Sequence, residues 1–156
     1  VADIHIEEFY RDTAVALVQL YRVFPRRMSL FVEDIAGPDQ TDEFGLHSDR
    51  HMACFGGLLW LAEEGLIRYV DTIRQEALDQ AILTHKAFTR LCAPASAAAL
   101  AAFTPEALAR SDALPPSVRA HLGSHISLIQ GVLRSGSSTQ IGQVMKAVFF
   151  TEPDKR

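Results

Sequence analysis

Six histidines and two cysteines hold most of the reactive side-chain chemistry in this 156-residue chain. Two histidine pairs, His47/His51 and His121/His125, have the i, i+4 spacing that puts both rings on one face of a helix. Facing one another, such pairs could hold zinc through four imidazoles. Neither pair encloses the Glu that serves as general base in an HExxH motif. His47 also falls at or before an expected helix start, which weakens its alignment with His51. The expectation is surface or cap-adjacent histidines, with no metal site and no cofactor.

The nucleophile candidates are Cys54 with His51 and Cys92 with His85. Both thiols fall on expected helices, without a Gly-rich elbow or a set of oxyanion donors. Free cysteines are most often buried, and both are expected reduced and buried, Cys54 at the edge of an apolar arc. No phosphate-cradling Gly loop or kinase signature occurs. The acids of 33–49 do not fit the 12-residue frame of a calcium loop and read as a solvated loop. No residue is assigned a catalytic role, and the chain is read as a non-enzyme.

Whatever these groups do, helices must position them. Over 4–24, Ile6, Tyr10, Ala14, Leu17 and Tyr21 recur at helical spacing, widened by Phe9, Ala16, Leu20 and Val23. Pro25 ends that helix, because the residue before a proline leaves the α region. Met28–Ile35 is a short strand or a short helix, and GPDQTDEFG is an exposed acidic loop. Ser48 can cap the next helix. On it Met52, Phe55, Leu58, Leu59 and Ala62 form an expected core arc, while Asp49, Ala53, Gly57, Trp60 and Glu64 lie opposite, with Gly56 at the margin. Gly65 suits a left-handed stop, and Leu-Ile-Arg-Tyr-Val favours a strand. Residues 71–83 read as a wing turning near Gln75-Glu76, with a helix as the competing reading. Thr84 caps a helix through Phe88 and Leu91.

The succession WLAEEGLIRY and then LTHKAFTRL resembles the winged helix-turn-helix superfamily, over roughly 4–92. Residues 83–91 match its LT-x-K-G-x-x-L pattern, except that Ala87 stands in place of the usual Gly. The resemblance implies a mainly α fold with a small β-wing, and the 48–64 helix in the recognition position. The expected division is a winged helix-like domain over 1–92 and a helical extension over 93–156, packing on it or dimerising. In the extension a helix start is expected at Thr104-Pro105-Glu106, a helix at 117–134 and a last one bearing Ile141, Val144, Met145, Val148 and Phe149.

Charge decides between partners. Residues 1–92 hold 15 Asp and Glu against 9 Lys and Arg, whereas 93–156 hold 4 against 6. Duplex DNA needs a basic face to replace its counterions, and the region with the suitable shape is the acidic one. The 48–64 helix offers Arg50 alone for base reading, and presents small residues beside Trp60 instead. The expectation is a non-enzymatic protein-interaction module with Asp49, Ala53, Gly57, Trp60 and Glu64 at its interface. Its partner is itself, as a homodimer through 117–150, or another subunit. The alternative is a DNA-binding regulator using Arg22, Arg26, Arg27, Arg50, Arg68 and Arg74, with Lys86 near the wing. No run reaches the roughly 18 apolar residues of a membrane span, and VADIHIEEFYRD lacks a signal-peptide profile. A cytoplasmic location without membrane partners follows as an expectation.

Overall fold

A computed structural model describes residues 3–151. It is mainly helical with a small antiparallel sheet. The chain falls into two compact units that divide between Phe88 and Thr89, four residues before the boundary expected at Cys92.

The amino-terminal unit begins with α1 (Ile4–Val23), then β1 (Met28–Phe31) and a single helical turn, α2 (Glu33–Ala36). The ambiguous run after Pro25 thus holds both a strand and a helical turn. After a long loop comes α3 (Asp49–Glu63), followed by β2 (Ile67–Arg68), β3 (Asp71–Ile73) and β4 (Ala77–Leu83). β4 is central: β1 pairs antiparallel on one side of it, while β2 and β3 succeed one another on the other. The β3–β4 hairpin turns at 74–76, as the wing reading expects, with Arg74 at φ +52° in place of a turn glycine. This order of elements is compatible with a winged helix.

Both ends of α3 are closed by local chemistry. Ser48 Oγ accepts the His51 amide at 3.1 Å. At the other end Gly65, at φ +74°, lets its own N–H reach Ala62 O and that of Leu66 reach Leu61 O, the paired bonds of a Schellman stop. Thr84 Oγ1 accepts the Ala87 amide at the start of α4 (His85–Cys92).

The buried face of α3 differs from the expected one. His51, Cys54, Phe55, Gly57, Leu58 and Leu61 are buried, whereas Met52, Leu59 and Ala62 are only partly so. The core arc is turned by roughly 90° toward the small residues. The reason is α1, which packs on that side: a Cβ added to Gly57 would stand 3.5 Å from Phe9 Cδ2. Phe9 also meets Trp60 edge to face, centroids 5.2 Å apart. The Trp60 face is therefore partly covered within the unit, by the amino-terminal helix.

In the carboxyl-terminal unit, α5 (Ala97–Phe103) and α6 (Pro105–Arg110) lead through a 3-10 turn to α7 (Pro116–Leu122), α8 (His125–Ser135) and α9 (Ser138–Val148). The expected continuous helix over 117–134 is broken at Gly123-Ser124. There Ala95 N–H donates to Gly123 O, and His125 N–H to Ala93 O. An extended segment takes over backbone groups that a continuous helix would use. His121 and His125 consequently lie on different helices. Ile126, Leu128, Ile129 and Val132 of α8 and Ile141, Val144, Met145 and Val148 of α9 are buried. Cys92, expected buried, is exposed. Among the described residues no helix is long and apolar enough to cross a membrane.

Candidate functional site

The chemically dense part of the molecule surrounds the first turn of α3. Asp12 of α1 is 2% exposed, and Arg50 reaches it with both terminal nitrogens, Nη1 to Oδ2 at 2.5 Å and Nη2 to Oδ1 at 2.6 Å. Arg50 Nε takes Glu8 at 2.9 Å. The bidentate bond to Asp12 is the main reason the guanidinium is held above its ordinary pKa, against partial burial. Arg50, expected as a possible DNA contact, is thus directed at two carboxylates of its own chain.

On the other side of the same turn lies a cluster joining three segments. Asp39, from the acidic loop, is largely buried rather than solvated. Its Oδ1 accepts the Ser48 amide at 3.1 Å and the Ser48 hydroxyl at 2.7 Å. Its Oδ2 stands 2.5 Å from His47 Nδ1 and 3.6 Å from His51 Nδ1. Burial opposes the Asp39 charge, but the bonds from His47 and Ser48 outweigh it and hold the carboxyl well below the usual carboxylate range. The two imidazoles stack in parallel, 4.0 Å apart. His47 is partly exposed, as a cap-adjacent residue can be. His51 is 2% exposed, with Nε2 2.7 Å from Gln75 O at the hairpin turn, which corrects the expectation of a surface histidine.

Asp39 escapes a reading of the sequence because its role is tertiary: it stands eight positions before His47, across the loop. Only the cap-forming His-Ser at 47–48 marks where that loop returns. The other pair forms no counterpart. His121 is exposed, and His125 Nδ1 bonds Arg90 O at 2.9 Å.

Burial, with the Asp12 carboxylate next in weight, pushes Cys54 up to about 12, so the nucleophilic thiolate is absent near neutrality.

The expected interface residues do not act as one exposed set. Asp49, Ala53 and Glu64 are exposed, Trp60 is half-buried on Phe9, and Gly57 is buried. Beside Asp49 and Ala53 runs a shallow groove completed by Ile4, His5, Glu8 and Arg50. Ile4 is 66% exposed. Among the other expected DNA contacts, Arg22, Arg26, Arg27, Arg68 and Arg74 are exposed, and Arg27 Nη1 donates to Gln80 O on β4. In the carboxyl-terminal unit a cleft is lined by Phe103, Thr104, Glu106, Gly131, Arg134 and Gln140. Its two charged residues are exposed.

No protein-family model, no curated protein and no solved structure matches this chain.

Proposed function

We propose that the protein is a non-enzymatic protein-interaction module, and that its contact face is the outward side of α3 with the first turn of α1. The observation that carries this reading is the make-up of that face. Its single arginine is engaged by Asp12 and Glu8, and apart from His5 what remains outward is acidic, small or aliphatic: Asp3, Asp49, Ala53, Gly56 and Ile4. Base edges are read by outward Arg, Lys, Asn or Gln. Small residues instead permit close approach of another backbone, and an exposed Ile among acids suits an apolar surface rimmed by Lys and Arg. The partner is a protein of that chemistry, either another subunit or a second copy. The apolar faces of α8 and α9, the sequence-based reason for pairing through 117–150, are buried, so the α1–α3 face is the better-supported place for a homodimer.

The test compares the parent chain with an Ile4→Asp/Ala53→Arg variant, both positions being exposed. Light scattering measures self-association, and affinity purification from the native host measures partners. The expected result is an oligomer or a stoichiometric complex with the parent and its loss in the variant. Equal recovery by both, or a monomer that co-purifies with nothing, would overturn the reading. A DNA-binding reading has one observation in its favour, the exposed arginines near the hairpin of a winged helix-compatible fold. Sub-micromolar, sequence-selective binding at physiological salt would put it first. Neutralising Arg22, Arg26 and Arg27 should then lower the salt slope by about one for each arginine that pairs with a phosphate.

A further inference from the structure

We propose that Asp39, His47 and His51 form a site for one borderline divalent cation of the zinc class, with Asp39 Oδ2 and the two imidazole Nδ1 atoms as ligands. The reasoning starts from the proton on His51. Its Nε2 lies 2.7 Å from the Gln75 carbonyl, which can only accept, so the proton of the neutral ring sits on Nε2. That leaves Nδ1 as a bare lone pair. Nδ1 is buried, has no hydrogen-bond partner, and points toward a carboxylate oxygen 3.6 Å away. Two buried acceptors face one another across a gap too long for a hydrogen bond. Buried polar atoms are nearly always satisfied; Oδ2 already has His47, and a positive centre in the gap would satisfy Nδ1 as well. A proton placed on Nδ1 would not close the gap, because 3.6 Å is too long for a hydrogen bond to Oδ2.

The surroundings are those a metal site requires. Ligating histidines commonly donate their other ring N–H to a carbonyl or carboxylate, and ligating carboxylates are themselves hydrogen-bonded. Here Gln75 O holds His51 Nε2, while the Ser48 amide and hydroxyl hold Asp39 Oδ1 and leave Oδ2 turned toward the rings. The three donor atoms lie within 4.8 Å of one another. A tetrahedral ion bound at about 2.0–2.2 Å spaces its ligands roughly 3.4 Å apart. The Oδ2–His51 distance already suits that spacing. His47, now donating from Nδ1 to Oδ2 at 2.5 Å, must retreat by roughly 1 Å and carry its ring proton on Nε2 instead, which its partly exposed place at the end of the loop permits. Two imidazoles and one carboxylate favour zinc, cobalt or nickel over magnesium or calcium, which prefer all-oxygen shells. The amino end of α3 is unfavourable ground for a cation, and the Asp39 charge offsets it. The bound ion would tie the 37–48 loop to α3, which Gln75 in turn links to the hairpin turn.

The test uses the full chain, stripped with chelator and titrated with Zn²⁺ by calorimetry, with Co²⁺ as a spectroscopic substitute. One ion per chain is expected, with a raised melting temperature, a visible d–d band for Co²⁺, and no response to Mg²⁺ or Ca²⁺. Because His51 is in the core, the deciding variants are His47→Ala and Asp39→Asn. Each should weaken binding by more than about tenfold, the loss that even outer-shell changes cause. Long-range ¹⁵N spectra should show His51 as the Nε2–H tautomer, with Nδ1 displaced on zinc addition. Absence of saturable uptake, uptake unchanged in both variants, or a His51 Nδ1 signal that does not move would each overturn the proposal.

Discussion

Where α1 meets α3, a buried carboxylate receives a guanidinium and a buried imidazole sits one residue further on. Where α8 meets α9, the buried side chains are Ile126, Leu128, Ile129 and Val132 with Ile141, Val144, Met145 and Val148. Both are helix pairs with capped starts, on Ser48 in one case and on Ser124 and Ser137 in the other. They differ in what removal of one member does to the other. An apolar pair gives up area and leaves a cavity, in proportion to the atoms removed. A charge pair fails all at once, because the remaining ion is held in a medium that cannot solvate it. Apolar replacement of such a pair is often no less stable, so the charges between α1 and α3 are poorly explained by stability alone. They tie the first turn of α3, which carries the proposed contact face and the histidine cluster, to α1.

The largest expected effect tests that asymmetry. Arg50→Ala leaves buried Asp12 with only Arg11, 3.9 Å away, and should cost about 3–5 kcal/mol, whereas Asp12→Ala/Arg50→Ala together should cost clearly less than the sum of the single changes. Denaturant unfolding of the four proteins in the cycle measures this, and simple additivity would mean that the pair is not coupled. Next comes the apolar seam: Ile129→Ala should cost about 2–4 kcal/mol, by an amount that salt does not change, and a strong salt dependence would erase the contrast.

Near neutral pH the smallest effect concerns Cys54, between the two charges and the core. Its thiol is raised to about 12 in the folded chain and ionises near 8.5 when unfolded. Between these values the folded state holds the extra proton, so stability falls as pH rises through that window, by at most about 1.4 kcal/mol per unit. Below about pH 8.5 the thiol contributes no pH dependence. Native alkylation at about pH 8, where an ordinary thiol is partly ionised, should modify Cys92, which is exposed, and spare Cys54. Equal labelling of both would show that the α1–α3 seam opens readily.

Much of the scaffold is legible along the chain because its signals are local. Ser48, Thr84 and Gly65 act on amides and carbonyls a few residues away, and Pro25 acts on its own predecessor. The helices α1, α3 and α9 follow from such short-range rules, whereas 71–83 leaves a helix competing with the hairpin, because its turn carries Arg74 at positive φ in place of a glycine. The break at Gly123-Ser124 is not legible, since the backbone groups that compete with a continuous helix come from Ala93 and Ala95. The rotation of α3 is hidden for the same kind of reason: periodicity names an apolar arc, but only Phe9 of α1 decides that Gly57 turns inward. The cluster is the least legible feature of all. Spacing pairs His47 with His51, whereas the fate of an imidazole depends on what stands around it. Asp39 and the Gln75 carbonyl reach it from a loop and a hairpin turn distant in the chain. Types, caps and charge balance belong to the chain by itself. Burial of a charge, and what faces a lone pair once buried, belong to the fold, because desolvation is set by every neighbour at once.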